Sequence, residues 1–395
     1  MVRSQNVPNG WTVALLDSVA ERCSGHTPSK SSPEYWNGGI KWISLADSFR
    51  LDNGYVYETD KEISQLGIDN SSAVIHPKGT VVLSRDAGVG KSAVMAEPMA
   101  VSQHFIAWKC DANKKVHNWF LYNWLQFHKP TFERQAVGST IKTIGLPFFK
   151  KLKIALPSYD EQRKIAKILS TWDKAISTIE KLLETSKQQK KALMQQLLTG
   201  KKRLVNPETG KVFEGEWEEV LLGDISYITT GSSNREDSSL DSEYTFFDRS
   251  EDIRRSNRYL FDAEAVIVAG EGQDFVPKHF EGKFDLHQRT YAIMNFEKSV
   301  GKFLYYYIGY YRHYFLAQAV GSTVKSLRLP MFQKMPIHLP KVGEQQKIVS
   351  ILNAADKEIE VLEAKLAHFK QEKKALMQQL LTGKRRVKVE EMEVA

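Results

Sequence analysis

The sequence predicts an α+β chain: two globular heads of mixed helix and strand, separated by an antiparallel two-helix coiled coil and related by a pseudo-two-fold internal repeat. Three observations predict it. A long block recurs at constant offset, each copy of the block carries a heptad seam, and β-type runs fall only in the divergent segments between the copies. At 395 residues the chain also exceeds what one hydrophobic core usually fills, about 250 to 300 residues, so at least two domains are expected.

The repeat comes first because it fixes the organisation. AVGSTIKTIGLPFFKKLKIALP at 136–157 returns as AVGSTVKSLRLPMFQKMPIHLP at 319–340, an offset of 183. EQRKIAKIL then becomes EQQKIVSIL, and KKALMQQLLTGK recurs unchanged, giving 38 identities over the 66 positions from 136 to 201. A weaker echo opens each copy, Trp11 with Leu15, Leu16 and Val19 against Trp217 with Leu221, Leu222 and Ile225, now at an offset of 206. The copies therefore differ by 23 residues, all lost before the matched block. A duplicated scaffold with two differently specialised heads explains this. The expected boundaries are 1–157 for the first head, 158–204 for the first long helix, 205–340 for the second head, 341–384 for the second long helix and 385–395 for a charged tail.

Each matched block reads as one helix. In the first, Ile165, Leu169, Trp172, Ile176, Ile179 and Leu183 alternate by four and three, and Leu193 and Leu197 continue the phase. In the second, Ile348, Leu352, Ile359, Leu362, Leu366, Phe369, Leu376 and Leu380 fall in the same phase. No Pro or Gly interrupts either run until Gly200 and Gly383, where a helix C-cap wants them. Each helix is expected to span about 39 residues, roughly 58 Å. Antiparallel pairing follows from connectivity, since the second head joins the end of one helix to the start of the other. In that register Lys190 faces Ala355 and Lys373 faces Trp172, where an ammonium–aromatic contact is expected. A generic oligomerising coiled coil is the alternative, against which the chain contains both seam partners, so they can pair with each other.

The heads carry short strand-like runs, TVVLS at 80–84, FIAW at 105–108, AVIVAG at 265–270 and TYAIM at 290–294. The aromatic stretches WFLYNWL at 119–125 and FLYYYIGYY at 303–311 read as core helices rather than base-stacking platforms. SRDAGVGKS at 84–92 is no nucleotide-binding loop, because Arg85 stands where that motif needs Gly. It is still a glycine-rich loop after a strand, with Ser84, Arg85, Gly88, Gly90 and Lys91 suited to a phosphate or to an ordinary tight turn. Gln103 and His104, and Gln288 and Arg289, stand near strand starts. There glutamine suits adenine and arginine suits guanine, although surface polarity explains them as readily. The repeated GST-x-K offers Ser139, Thr140 and Lys142, then Ser322, Thr323 and Lys325, for phosphate contact or a helix N-cap.

Composition sets the remaining limits. The net charge of +8 is uneven: 158–204 hold 11 basic and 5 acidic side chains, 341–388 hold 11 and 6, and the rest is 33 minus 36, or −3. The helices are basic and the remainder near neutral in sum, which suits partner docking and long-range attraction by the helices. Cys23 and Cys110 are too few for a disulfide framework or a thiolate metal site. No apolar run suggests a membrane span or signal peptide, so a cytoplasmic protein is expected. No nucleophile, metal cluster or cofactor fingerprint emerges, and the chain reads as a binder.

Duplicated heads, ALPSYDEQRKIAKIL with LPKVGEQQKIVSIL, the twice-used KKALMQQLLTGK, and GTVVLSRDAGVGK followed by VSQHF together resemble specificity subunits of type I restriction-modification systems. The resemblance covers nearly the whole chain, most specifically the helices and the first head. In the second head AGEGQDF at 269–275 departs from the glycine-lysine pattern, so the role of Lys91 does not carry over there. The resemblance implies a target recognition domain in each head, double-stranded DNA as ligand, and helices that act as a ruler. It also implies two modification (methyltransferase) subunits and translocating restriction subunits as partners. The S-adenosylmethionine, ATP and magnesium belong to those partners, and this chain has no active site of its own. A non-catalytic coiled-coil scaffold with two protein-binding heads is the alternative.

Overall fold

A computed structural model describes residues 7–110, 114–239 and 241–388. The chain divides into two compact units, residues 1–179 with 365–395, and residues 180–364. Each unit is thus a head joined to a stretch of both long helices, Tyr159–Leu197 and Val342–Leu380, each of 39 residues as expected.

In the first unit, a five-stranded sheet runs in the order Glu21–Ser24, Phe105–Lys109, Val81–Ser84, Ser92–Met95, Tyr55–Val56. A smaller sheet orders Lys61–Ile63, Trp36–Ile43 and Ala100–Val101. Strand Val81–Ser84 is buried at every position, as a central strand covered on both faces must be. The helix Asn118–Gln135 buries Phe120, Leu121, Tyr122, Trp124 and Leu125 in the main core, so the WFLYNWL stretch is core. Strand Thr12–Leu15 pairs with Lys153–Leu156 and closes the head at the root of the long helix.

The second unit repeats this plan with different loops. Its seven-stranded sheet begins Tyr227–Thr230, Thr290–Met294, Phe261–Ala269, matching the order of the first three strands in the other head. Helix Gly301–Tyr310 buries Phe303, Leu304, Tyr306, Tyr307 and Ile308. Strand Glu218–Leu221 pairs with Pro336–Leu339, the counterpart of the closing ribbon.

Within each unit the helical stretches run antiparallel. In the first, Lys373 pairs with Asp173, and Trp172 meets Phe369 edge-on at 5.3 Å between centroids. In the second, Lys190 pairs with Asp356 and Lys187 with Glu363 at 2.7 Å. The two seam lysines therefore choose carboxylates one residue beyond the positions expected to face them. Lys373 does not stack on Trp172, because an ammonium gains more from an adjacent carboxylate than from a ring. Lys190 lies 5.6 Å from the Tyr306 centroid as well as on Asp356. Of the seam positions, Ile165, Leu169, Ile179, Leu197, Ile348, Leu352 and Leu380 are buried, and the others are half-buried, whereas Leu182 and Val361 off the seam are exposed.

Gly200 and Gly383 end the helices in the left-handed region, at φ +68° and +69°. The amides of Lys202 and Arg385 reach back six residues to the carbonyls of Gln196 and Gln379, a closure that a glycine at this point permits. The expected tail does not begin free. Arg386 forks onto Glu161 at 2.8 and 2.7 Å, and the Val387 amide donates to the same carboxylate. Residues 389–395 of that tail lie outside the described residues.

Candidate nucleic-acid interface

The chain segments singled out in each head converge. In the first unit the glycine-rich loop 85–91, the turn 102–104 and the loop 137–143 meet through backbone bonds: Arg85 amide to His104 carbonyl (3.0 Å) and Ile144 amide to Arg85 carbonyl (2.9 Å). In the second unit the Gly270 amide donates to the Arg289 carbonyl (2.8 Å), and the Leu327 amide to the Gly270 carbonyl (2.8 Å). Each head thus gathers three loops at one edge of its main sheet.

The GST segments are hairpin tips, not helix N-caps. Val137 and Thr143 exchange amide–carbonyl bonds of 3.0 and 2.9 Å, and Val320 and Ser326 do so at 3.1 and 2.8 Å. Gly138 and Gly321 sit at φ +131° and +121°, where a Cβ would come within 2.2 Å of the Ile141 carbonyl oxygen or 2.3 Å of that of Val324. Only glycine fits such a turn. Ser139, Thr140, Lys142, Ser322 and Thr323 are exposed at these tips, and Lys325 is half-buried.

The loop after strand Val81–Ser84 is a tight turn closed on itself. The amides of Gly90 and Lys91 bond the carbonyls of Ser84 and Gly88, so neither is available to cradle a phosphate. Gly88 and Gly90 take φ +110° and +86°, and Gly90 is buried. Two residues expected to face a ligand are corrected by their surroundings. Ser84 is buried with its hydroxyl on the Asp86 carbonyl (2.6 Å), and the Lys91 ammonium is held by the Ser48 carbonyl (3.0 Å). Both stabilise the loop.

The turn residues remain accessible but are not loose. His104 Nδ1 lies 2.7 Å from Asp86 Oδ2, and Gln103 accepts from the Thr27 hydroxyl. Gln288 donates to Asn234 (2.6 Å), and Arg289 pairs with Glu271. Burial pushes the neighbouring His287 imidazole below its ordinary range, and its Nδ1 accepts from the Arg289 amide at 3.0 Å.

Sequence reasoning missed an arginine surface in the second head: Arg235, Arg249, Arg255 and Arg258 are exposed and Arg254 is half-buried. Buried acids organise it. Asp285 accepts from Ser233 (2.5 Å), Ser256 (2.7 Å) and the Leu286 amide (2.8 Å), and Arg258 donates to Ser233 at 2.8 Å. Burial pushes the Asp248 carboxyl up, but hydrogen bonds from Ser250 and the Arg235 and Arg254 charges outweigh it and leave the group below its ordinary range. The signal was the run DIRRSNR at 252–258, hidden by the acids around it, since residues 205–340 hold 15 basic and 20 acidic side chains.

A second missed set lies where each head meets its helix. Gln162 Nε2 donates to the carbonyls of Lys115 (2.9 Å) and Pro157 (3.1 Å), while its Oε1 accepts from the His117 amide (2.9 Å). Gln345 does the same with Lys298 (3.1 Å), Pro340 (2.7 Å) and the Val300 amide (2.8 Å), every partner displaced by 183. The preceding Glu344 takes Arg203 through two 2.8 Å bonds, as Glu161 takes Arg386. The twice-occurring Glu-Gln pair is the sequence signal for this latch.

Among the described residues no helix is long and apolar enough to cross a membrane, and no cluster of three His, Cys, Asp or Glu side chains is placed to hold a metal. The family model described as "Type I restriction modification DNA specificity domain" matches residues 8–187 and 214–371. The chain is 24% identical over 421 residues to the type I restriction enzyme MjaVIII specificity subunit of Methanocaldococcus jannaschii, covering 97% of this chain and 94% of that one. It is 28% identical over 244 residues to the MjaIX specificity subunit of the same organism, a match that spans 54% of that relative. The crystal structure of a type I restriction-modification S subunit from M. genitalium shares the fold, with a TM-score of 0.64 at 15% identity, covering 96% of this chain and 98% of that one.

Proposed function

This chain belongs to the type I restriction-modification DNA specificity family, and from that premise we propose that each of its heads reads one half of a bipartite DNA sequence. The family's specificity subunits are non-catalytic. The observation that carries the reading is the pair of equivalent three-loop edges, built on the same strand register yet furnished with unlike side chains. A common scaffold with different reading loops is what two different half-sites require. Exposed Lys142 and the hydroxyls of the GST tips serve phosphate contact, which positions the protein. Gln103, His104, Gln288 and Arg289 serve base edges, which specify the sequence.

The 39-residue helices act as the ruler, with roughly 58 Å corresponding to a ceiling of about 17 base pairs between reading centres. Their basic surfaces dock two modification subunits, and restriction subunits are further partners. S-adenosylmethionine, ATP and magnesium act on the partner subunits, and the assembly works in the cytoplasm. Electrophoretic shift of random-sequence duplex DNA, with and without co-expressed modification subunits, tests the reading. Retarded DNA whose selected sequences converge on two half-sites at fixed spacing is expected. Association with the modification subunits but never with DNA would instead make the chain a protein-binding scaffold.

A further inference from the structure

The loops at the two reading edges share little sequence, yet the strand register aligns them residue by residue. Arg85 and Gly270 occupy the same point, because each bonds the turn residue through its amide and the GST hairpin through its carbonyl. Their successors Asp86 and Glu271 are then equivalent, as are His104 and Arg289. The two carboxylates behave alike: their side chains are only 11% and 15% exposed, and each holds the basic residue of its turn. Each also draws in an arginine, Arg85 Nε at 3.6 Å from Asp86 and Arg249 Nη1 at 3.3 Å from Glu271.

An acid at a DNA-facing edge weakens attraction to phosphate, so its presence at the same point in both heads needs another cause. We infer that Asp86 and Glu271 are positioning residues for base readout. Each carboxylate fixes one side of a basic side chain and leaves the opposite side set for a base, the His104 Nε2 ring nitrogen in one head and the outer guanidinium N–H groups of Arg289 and Arg249 in the other. A freely rotating arginine meets any phosphate or base within reach. One anchored by a half-buried carboxylate has lost that freedom before DNA arrives and penalises a base that does not match. The acid thus lowers non-specific affinity while raising discrimination.

This inference rests on the DNA-reading function proposed above, and the test separates the two. The full chain is co-expressed with its modification subunits and the methylated motif is read by methylome sequencing. Purified complexes are then titrated with cognate, single-mismatch and random-sequence duplexes. Glu271→Gln is expected to widen the accepted bases at one position of one half-site. Discrimination against the mismatch should fall about ten-fold, within the range of one specific base contact, while affinity for random DNA is kept or rises. Asp86→Asn is expected to do the same in the other half-site. His104→Arg keeps the carboxylate pair and supplies the cation that the second head uses, so it should shift the preference there toward guanine even if Asp86→Asn does not fold. Unchanged motifs in all three variants, or cognate and random affinities falling by the same factor, would overturn the inference while leaving DNA reading intact. A wild-type complex with no bipartite motif would overturn both.

Discussion

Replacing Gln345 by alanine removes three hydrogen bonds at the root of the second head. The carbonyls of Lys298 and Pro340 lose a donor, the Val300 amide loses its acceptor, and Gln345 itself is buried, so water does not readily replace it. Stranding a buried polar group costs about 1 to 2 kcal/mol. Three such groups, with some relaxation, amount to about 4 kcal/mol. In a unit of this size each kcal/mol displaces the transition by roughly 2 to 4 °C, so calorimetry of the full chain should show the second unit melting about 10 °C earlier. The Val300 amide should also lose its protection against hydrogen exchange. Gln162→Ala is expected to lower the transition of the first unit by a similar amount, through Lys115, Pro157 and His117. A shift below about 3 °C with Val300 still protected would refute the latch.

Acid should weaken the first unit through His76, whose buried imidazole has no hydrogen-bond partner on either nitrogen among the described residues and is pushed by burial down to about 4. A depressed histidine contributes its stability above the ordinary value near 6.5 and loses it as pH falls toward 4, up to about 3 kcal/mol. Urea unfolding at pH 7 and 4.5 should therefore show a larger acid loss in wild type than in His76→Gln, and equal losses would contradict this. Lys142→Ala should weaken DNA binding evenly across sequences and flatten its salt dependence by about one unit of slope in a salt titration. A sequence-selective loss would reassign Lys142 to base readout. Gln288→Ala and Arg289→Ala should each alter the methylated motif in one half-site only, and methylome sequencing that finds both motifs unaltered removes that turn from the reading surface.

What the sequence revealed and what it hid divide along physical lines. The long helices were legible because a heptad seam is a local pattern, and every position of it is buried or half-buried in the folded chain. The strands at 81–84 and 290–294 were legible for the same reason. The latch was half legible. The repeated Glu-Gln is visible, but its partners Arg386 and Arg203 stand 225 and 141 residues away, and no local pattern couples them. The equivalence of Asp86 with Glu271 was hidden altogether, since the heads differ in length and only strand register aligns these residues. Ser84 and Lys91 were misplaced because a phosphate loop and a self-closed turn use the same residue types, and which amides point inward depends on the fold.

The proposed function has the helix pair set the spacing between the two half-sites, and spacer length is its test. Removing one heptad from each long helix, residues 177–183 and 363–369, keeps the seam in phase and shortens the helices by about 10 Å, or about three base pairs. Methylome sequencing of cells carrying this chain and its modification subunits should then return the same two half-sites with a spacer about three base pairs shorter. The same half-sites at an unchanged spacer would rule out the helix pair as the ruler.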